Sequence, residues 1–209
     1  MVDTQRPSID DTLKTAYQAA HEHAIWTDLS SMGRLVCSDR DRLDLIHRLS
    51  TNDVNHLKPG QGCSTVFATA VGRIIDQVIV LNRGETSLLV TGNGRQELVQ
   101  GWLQRNIFFN DRFQVNVPGD ALGQMGIFGA KSAELLEEWL PGSADLPIYH
   151  FLEKSPESDT TEDAALVIRV PAIAGDGFWV VAQPEILHRF QQWLAEKAVV
   201  EANSAAYNA

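Results

Sequence analysis

The sequence predicts an α+β fold in which mostly antiparallel sheets are flanked by helices. Apolar residues recur at helical spacing in several stretches, most regularly in residues 184–199. Shorter apolar runs are separated by turn residues such as Asn82-Arg83-Gly84. These runs follow one another through hairpins rather than long crossovers, which is typical of antiparallel pairing.

The composition narrows the class of protein. The 209 residues, 44% of them hydrophobic and 21% charged, are enough for one compact domain or two small interleaved ones. A formal charge of −10 disfavours binding to nucleic acids or to anionic membranes. The first residues lack a basic segment followed by an apolar one, and no stretch approaches eighteen apolar residues. We therefore expect a cytoplasmic protein that contacts neither membrane nor nucleic acid.

The first predicted elements are two helices with extended structure between them, and the second helix ends near residue 53. Residues 11–23 place Leu13, Tyr17 and Ala20 at helical spacing, which predicts an amphipathic helix. Residues 24–37 favour extended structure with a bend near Gly33. A second helix is predicted to follow, with Ser38 as its N-cap. Its apolar stripe consists of Leu43, Leu45, Ile46 and Leu49.

The next elements form a meander followed by a helix and a strand. Three strands are predicted at residues 63–69, 74–81 and 87–92. A helix begins after Gly94, and a further strand covers residues 113–117. Together with the preceding strand and helix, this part of the chain has the order β-α-β-β-β-α-β.

The remaining sequence predicts a second α+β block after Pro118-Gly119-Asp120. Residues 130–140 and 184–199 have helical patterns, and Pro184 suits a first helical turn. The predicted strands cover residues 122–128, 146–152, 165–170 and 178–182. The acidic stretch 153–163 is expected to be a loop.

A polar pair interrupts the strand predicted for residues 74–81. Neighbouring strand residues point to opposite faces, so Asp76 and Gln77 each interrupt an otherwise apolar face. Burying a carboxylate without a partner costs several kcal/mol or more. The pattern therefore predicts a pocket or a solvated edge beside this strand.

Several familiar chemistries find no support in the sequence. The glycines of residues 91–97 lack both the ending of a phosphate-binding loop and the third glycine of a dinucleotide fingerprint. The six histidines include no pair with zinc-ligand spacing, and Cys37 and Cys63 lie outside any Cys-x-x-Cys motif. No serine has the glycine neighbours of a hydrolase nucleophile elbow. We predict neither a metal site nor a catalytic residue from these motifs.

Several segments resemble one known family in the same order. Residues 41–62 with G-R-I-I-D at 72–76, and then residues 88–97, 126–136 and 174–180, resemble the folate-binding family of the glycine cleavage T-protein (aminomethyltransferase) and the YgfZ proteins. W-L-Q-R-N-I-F-F at 102–109 is more similar to the YgfZ branch.

The resemblance implies a tetrahydrofolate pocket between two interleaved α+β units. One unit would combine residues 1–35 with 119–209, and residues 36–118 would form the inserted unit. The family's third, β-barrel-like unit and the YgfZ motif Lys-Gly-Cys-x-x-Gly-Gln-Glu are absent from these 209 residues. We therefore expect the chain to be the amino-terminal part of a longer protein.

The resemblance also implies which residues line the pocket, and it shows three departures from the T-proteins. Gln77 replaces the second of two aspartates, and an amide cannot accept a proton as that carboxylate does. Trp179 replaces a pterin-binding glutamate, and Thr91 replaces an asparagine. These departures argue against the aminomethyltransferase reaction. The cofactor-binding residues implied are Arg73, Asp76, Gln77, Thr91, Tyr149 and Trp179.

Each of these residues also has a purely structural interpretation. Asp76 would then bind backbone amides or Arg73, Gln77 would be an ordinary strand residue, and Trp179 would belong to the core. Arg73 would be a solvated turn residue rather than the partner of a folate glutamate tail.

Three functional hypotheses stay open. The first is a YgfZ-like protein that binds tetrahydrofolate or a related pterin and assists iron–sulfur cluster assembly or repair, with client or assembly proteins as partners. The second is an aminomethyltransferase, and the third is an interaction module without a ligand.

Overall fold

The computed structural model describes residues 11–154, 164–172 and 175–202. Five helices lie in this part of the chain: α1 (Asp11–Glu22), α2 (Arg42–Leu49), α3 (Gln96–Arg105), α4 (Ser132–Trp139) and α5 (Pro184–Glu196). The strands are β1 (Ile25–Asp28), β2 (Met32–Ser38), β3 (Gln61–Ala68), β4 (Ile74–Asn82), β5 (Ser87–Asn93), β6 (Gln114–Asn116), β7 (Gly123–Gly129), β8 (Phe151–Lys154), β9 (Ala165–Val170), β10 (Asp176–Ala182) and β11 (Val200–Glu201). A single 3-10 turn covers Gly119–Ala121.

The strands form two sheets, and the α+β prediction is confirmed. The six-stranded sheet has the order β11-β1-β7-β10-β9-β8, and the five-stranded sheet has the order β3-β4-β5-β2-β6. Neighbouring strands pair antiparallel everywhere except between β1 and β11. Short hairpins such as β3–β4 and β4–β5 explain this pattern, because they connect adjacent strands without a crossover.

The two sheets use different parts of the chain. The five-stranded sheet takes its strands from residues 32–116, whereas the six-stranded sheet takes them from residues 25–28 and 123–201. The boundary expected between residues 35 and 36 falls inside β2. The division into two units at residues 35/36 and 118/119 stays a prediction.

Three apolar clusters stabilise this arrangement. One lies between the five-stranded sheet and helices α2 and α3, and its members include Ile46, Leu103, Val78 and Val80. Another lies between the six-stranded sheet and helices α4 and α5. The third, called the inter-sheet core here, joins the facing sides of both sheets: Leu29, Leu81, Leu88, Val90, Phe128, Phe151, Leu166, Ile168, Val170, Trp179 and Val181.

Two sequence predictions are wrong in detail. The strand expected over residues 146–152 begins only at Phe151, because Pro147 and the positive φ of 64° at Tyr149 are incompatible with a regular strand. Ser38 ends β2 instead of capping a helix, and α2 starts after Asp41. Most of the expected acidic loop, residues 155–163, lies outside the described residues. None of the described helices is long and apolar enough to cross a membrane.

Candidate functional site

Asp76 lies where the pairing of β4 with β5 ends. The ladder extends from Asn82 opposite Ser87 to Ile79 opposite Val90 and goes no further. Beyond this point the Asp76 carboxylate accepts a hydrogen bond from the backbone N–H of Gly92 at 2.9 Å. The carboxylate thus replaces a main-chain acceptor where the strands diverge. This contact agrees with the structural interpretation of Asp76, in which its carboxylate binds backbone amides.

Gln77 points to the other face of β4 and is exposed. The regular β3–β4 register places Asp76 opposite Phe67 and Gln77 opposite Val66, and a bulge follows between Phe67 and Ala68. Phe67 is fully buried under α2 and α3, so Asp76 faces the helices. The Gln77 amide donates to Ser64 Oγ at 2.9 Å. The opposite orientation expected for the two neighbours is therefore confirmed.

Thr91 is fully buried at the end of β5. Its hydroxyl donates to the carbonyl of Gly92 at 3.2 Å. A Cβ on Gly33 would lie 2.3 Å from Thr91 Oγ1, which explains why the close approach of β2 requires glycine at that position. Thr91 shares a face with Leu89 of the helix-covered cluster, and hence with Asp76.

Trp179 is only 6% exposed and packs in the inter-sheet core. It lies opposite Gly126 of β7, and Thr27 of β1 lies opposite Gly126 from the other side. Residues that are paired in this way point to the same face, and Gln124, two residues from Gly126, shares it. Trp179 Nε1, Thr27 Oγ1 and Gln124 Oε1 are all buried without a hydrogen-bond partner among the residues that the structure describes.

Tyr149 and Arg73 lie near opposite ends of the β3–β4 hairpin. The Tyr149 backbone contacts β3 at Gly62, since a Cβ there would lie 2.6 Å from the Tyr149 carbonyl oxygen. Gly62 and Phe67, the partner of Asp76, are about 17 Å apart at the usual rise of a strand. Arg73 is an exposed residue of the β3–β4 turn, where its N–H donates to Thr69 Oγ1.

The six implied residues therefore do not form one cluster. Gln77 and Trp179 face the space between the sheets, whereas Asp76 and Thr91 face the helices. Tyr149 and Arg73 lie at opposite ends of the β3–β4 hairpin. Their assignment to a cofactor site stays a prediction.

Thr27, Arg34 and Gln124 are among the buried polar residues that the sequence pattern does not single out. Arg34 lies two residues from both Met32 and Val36, which contact the inter-sheet core, so it belongs to the same face of β2. A charged residue among the apolar residues of β2 is the only sign of this buried arginine in the sequence. The strand is too short for its pattern to show which side faces the other sheet.

The thiols and the histidines provide no further site in the described part of the chain. Burial raises the pKa of the Cys37 thiol to about 12 and also raises that of Cys63, so both favour the unreactive protonated form. The His56 imidazole contacts the Asp53 carboxylate at 2.5 Å on the surface. No group of three or more potential ligands could hold a metal ion among the described residues.

The comparisons with known proteins agree with this fold. Residues 4–205 match the sequence profile of the GCVT N-terminal domain. An aminomethyltransferase of Bacillus cytotoxicus is 29% identical over 175 residues, which are 83% of this chain and 47% of that protein. An aminomethyltransferase of Bacillus cereus (strain B4264) is 28% identical over 191 residues, which are 91% of this chain and 51% of that protein.

Solved structures extend the similarity to three dimensions. The glycine cleavage system aminomethyltransferase T of Bartonella henselae superposes with a TM-score of 0.79 at 20% identity, over 93% of this chain and 52% of that one. A chain of the heterotetrameric sarcosine oxidase of Corynebacterium sp. U-96 superposes with a TM-score of 0.61 at 11% identity, over 89% and 90% of the two chains. The chain spans about half the length of the aminomethyltransferases it matches. Because the profile covers nearly the whole sequence, this chain belongs to the family of the GCVT N-terminal domain.

Proposed function

We propose that this chain is the tetrahydrofolate-binding region of an aminomethyltransferase-like protein, with the ligand held between its two sheets. Membership of the GCVT family and the aminomethyltransferases among its relatives support this proposal. The observation that carries it is the group of three unpartnered polar atoms on Thr27, Gln124 and Trp179. Each such atom costs about 1–3 kcal/mol when buried without a partner, so a polar ligand there would stabilise the fold.

The chemistry of this group fits one edge of a pterin ring. The Trp179 indole donates a hydrogen bond, and the Gln124 side-chain oxygen accepts one. A ring that carries a carbonyl beside an N–H satisfies both. Trp179 is packed against apolar side chains of both sheets, so binding requires its ring to move. The indole face would then be available to stack on the heterocycle.

The residues of this chain limit what it would do to a bound folate. Tetrahydrofolate supplies a nucleophilic nitrogen that accepts a one-carbon unit. The Gln77 amide cannot take up the proton released there, and the Asp76 carboxylate is engaged by Gly92 on the other face of the sheet. We therefore propose that the chain binds tetrahydrofolate but transfers a one-carbon unit to it slowly.

The same observation supports a second candidate. A folate-binding protein with a YgfZ-like accessory role in iron–sulfur cluster assembly needs no acid at residue 77. Gln77 is compatible with such a role, because its amide is bonded to Ser64 and remains at the solvent end of the strand. The two candidates differ in whether the bound folate reacts.

Isothermal titration calorimetry with tetrahydrofolate tests the binding step. We expect binding by the unaltered chain and a loss of about tenfold or more in Gln124→Leu, whose new side chain has no acceptor. Gln192→Leu is the matched control, since its amide lies on the surface of α5 beside His188. Absence of binding, or equal binding by both variants, would contradict the proposal.

A transfer assay separates the two candidates. With tetrahydrofolate and a lipoyl-bound aminomethyl donor, we expect little turnover by the unaltered chain and an increase in Gln77→Asp. Turnover by the unaltered chain would assign the aminomethyltransferase reaction. Binding without turnover in either protein would favour the accessory role.

A further inference from the structure

A pocket lies at the amino-terminal end of α3. Its volume is about 280 Å³, close to the lower limit of small-molecule sites. The lining residues are Ser30, Ser31, Met32, Gly33, Arg34, Gly94, Gln96, Glu97, Gly119 and Asp120. None of the six residues implied by the family resemblance belongs to this set.

Arg34 is the unusual member of this lining. It is only 6% exposed, and its guanidinium donates to the carbonyls of Met32 at 2.8 Å and Ser30 at 3.2 Å. Its Nε is buried without a partner, and no carboxylate of the described residues forms an ion pair with it. A buried guanidinium without a directly bonded carboxylate is incompletely compensated, so this position favours an anionic group from outside the chain.

The start of α3 lies in the same wall of the pocket. Gln96 and Glu97 are its first residues, and the side chain of the N-cap residue Arg95 makes no capping hydrogen bond. Free N–H groups at a helix start carry a partial positive charge that attracts anions. Gln96 Oε1 accepts the Arg34 backbone N–H at 3.2 Å, which joins the helix start to β2.

Two carboxylates face the same pocket and exclude a simple anion site. Asp120 and Glu97 both line the pocket, so its three ionisable groups give a net charge of −1. Burial lowers the pKa of Arg34, and the carboxylates of Asp28 and Asp120 oppose this shift. Asp120 lines the pocket together with Arg34, and no ion pair joins the two in the described part of the chain. A ligand with a negative and a positive end would complement this arrangement at both points.

We propose that this pocket binds a small amino acid, with its carboxylate toward Arg34 and the start of α3 and its ammonium group toward Asp120 and Glu97. Ser30 and Ser31 also line the pocket, where their hydroxyl groups are bonded to Gln124 and Asn93. The pocket adjoins the proposed folate site, since Gln124 Nε2 lies 3.5 Å from Met32 Sδ of the lining. The proposal itself concerns an amino acid and is tested without folate.

Calorimetric titration with three probes tests the proposal. L-alanine carries both charges, L-alaninamide lacks the carboxylate, and propionate lacks the ammonium group. We expect binding of L-alanine and at least about tenfold weaker binding of the other two. No binding of L-alanine, or equal binding of all three probes, would refute the proposal.

Two substitutions locate the charges. Arg34→Gln should weaken L-alanine binding by about tenfold or more, whereas Arg40→Gln, at an exposed arginine paired with Asp41, should leave it unchanged. Asp120→Asn should weaken L-alanine binding but not propionate binding. This second variant keeps the test decisive if Arg34→Gln does not fold, since Asp120 is exposed on a 3-10 turn. If Arg34 only holds its own loop, neither variant changes the affinity for L-alanine.

Discussion

The hydrogen bond from Gly92 to Asp76 leads to a quantitative prediction. A hydrogen bond to a charged group contributes about 1.5–3 kcal/mol to stability, and partial exposure of Asp76 favours the lower end. Asp76→Ala should therefore reduce the free energy of unfolding by about 1.5 kcal/mol. Asp76→Asn retains an acceptor and should lose about half as much. Gln77→Ala, one residue away and exposed, should stay within about 0.5 kcal/mol of the unaltered chain.

Urea denaturation and hydrogen exchange measure this effect in two independent ways. The unfolding free energies of the three variants give the magnitude. The exchange rate of the Gly92 amide reports on the bond itself, and it should rise in Asp76→Ala but not in Gln77→Ala. If Asp76→Ala loses no more stability than Gln77→Ala and Gly92 stays protected, the carboxylate does not hold the two strands together.

Three further predictions concern positions away from β4. Gly33→Ala should cost about 1–3 kcal/mol in thermal unfolding because the new methyl group meets a buried hydroxyl at 2.3 Å, whereas Gly101→Ala, with its nearest neighbour at 3.7 Å in α3, should be neutral or stabilising. Cys63 should react with a thiol reagent well before the fully buried Cys37, which should react only on unfolding; similar rates for both thiols would contradict this order. A hydrogen bond from its arginine neighbour lowers the pKa of Asp41 from 3.8 to about 2, so the stability it contributes is complete above pH 3.8 and lost as the pH falls to about 2. Urea denaturation between pH 2 and 5 should show this loss for the unaltered chain and a smaller one for Asp41→Asn.

The sequence predicts the elements of this fold better than it predicts their surroundings. The meander of β3, β4 and β5 follows from local turn chemistry and strand alternation, and both are visible in a single stretch of sequence. The partner of Asp76 is not visible in this way, because it depends on where β4 and β5 separate. The need of Asp76 for a polar partner was predictable from its apolar neighbours, but its identity was not.

In the candidate site, too, neighbouring residues predict local structure, whereas the contacts depend on residues distant in the sequence. The burial of Trp179 was one of its two interpretations, yet its position opposite Gly126 requires the register of β7 and β10. The sequence predicts a strand that includes Tyr149, whereas the positive φ of this residue places it in an irregular connection. Arg34 escaped notice because inward and outward positions of β2 cannot be distinguished until the facing sheet is known.

The path of the chain between the sheets has a consequence for the order of folding. The five-stranded sheet uses one continuous stretch of sequence, whereas β1 of the other sheet pairs with β7 and β11, which are synthesised much later. Contacts between distant residues carry a larger loop-closure cost and form more slowly. On the ribosome, the meander would therefore assemble while β1 waits without its partners, and the carboxyl-terminal strands would complete the second sheet last.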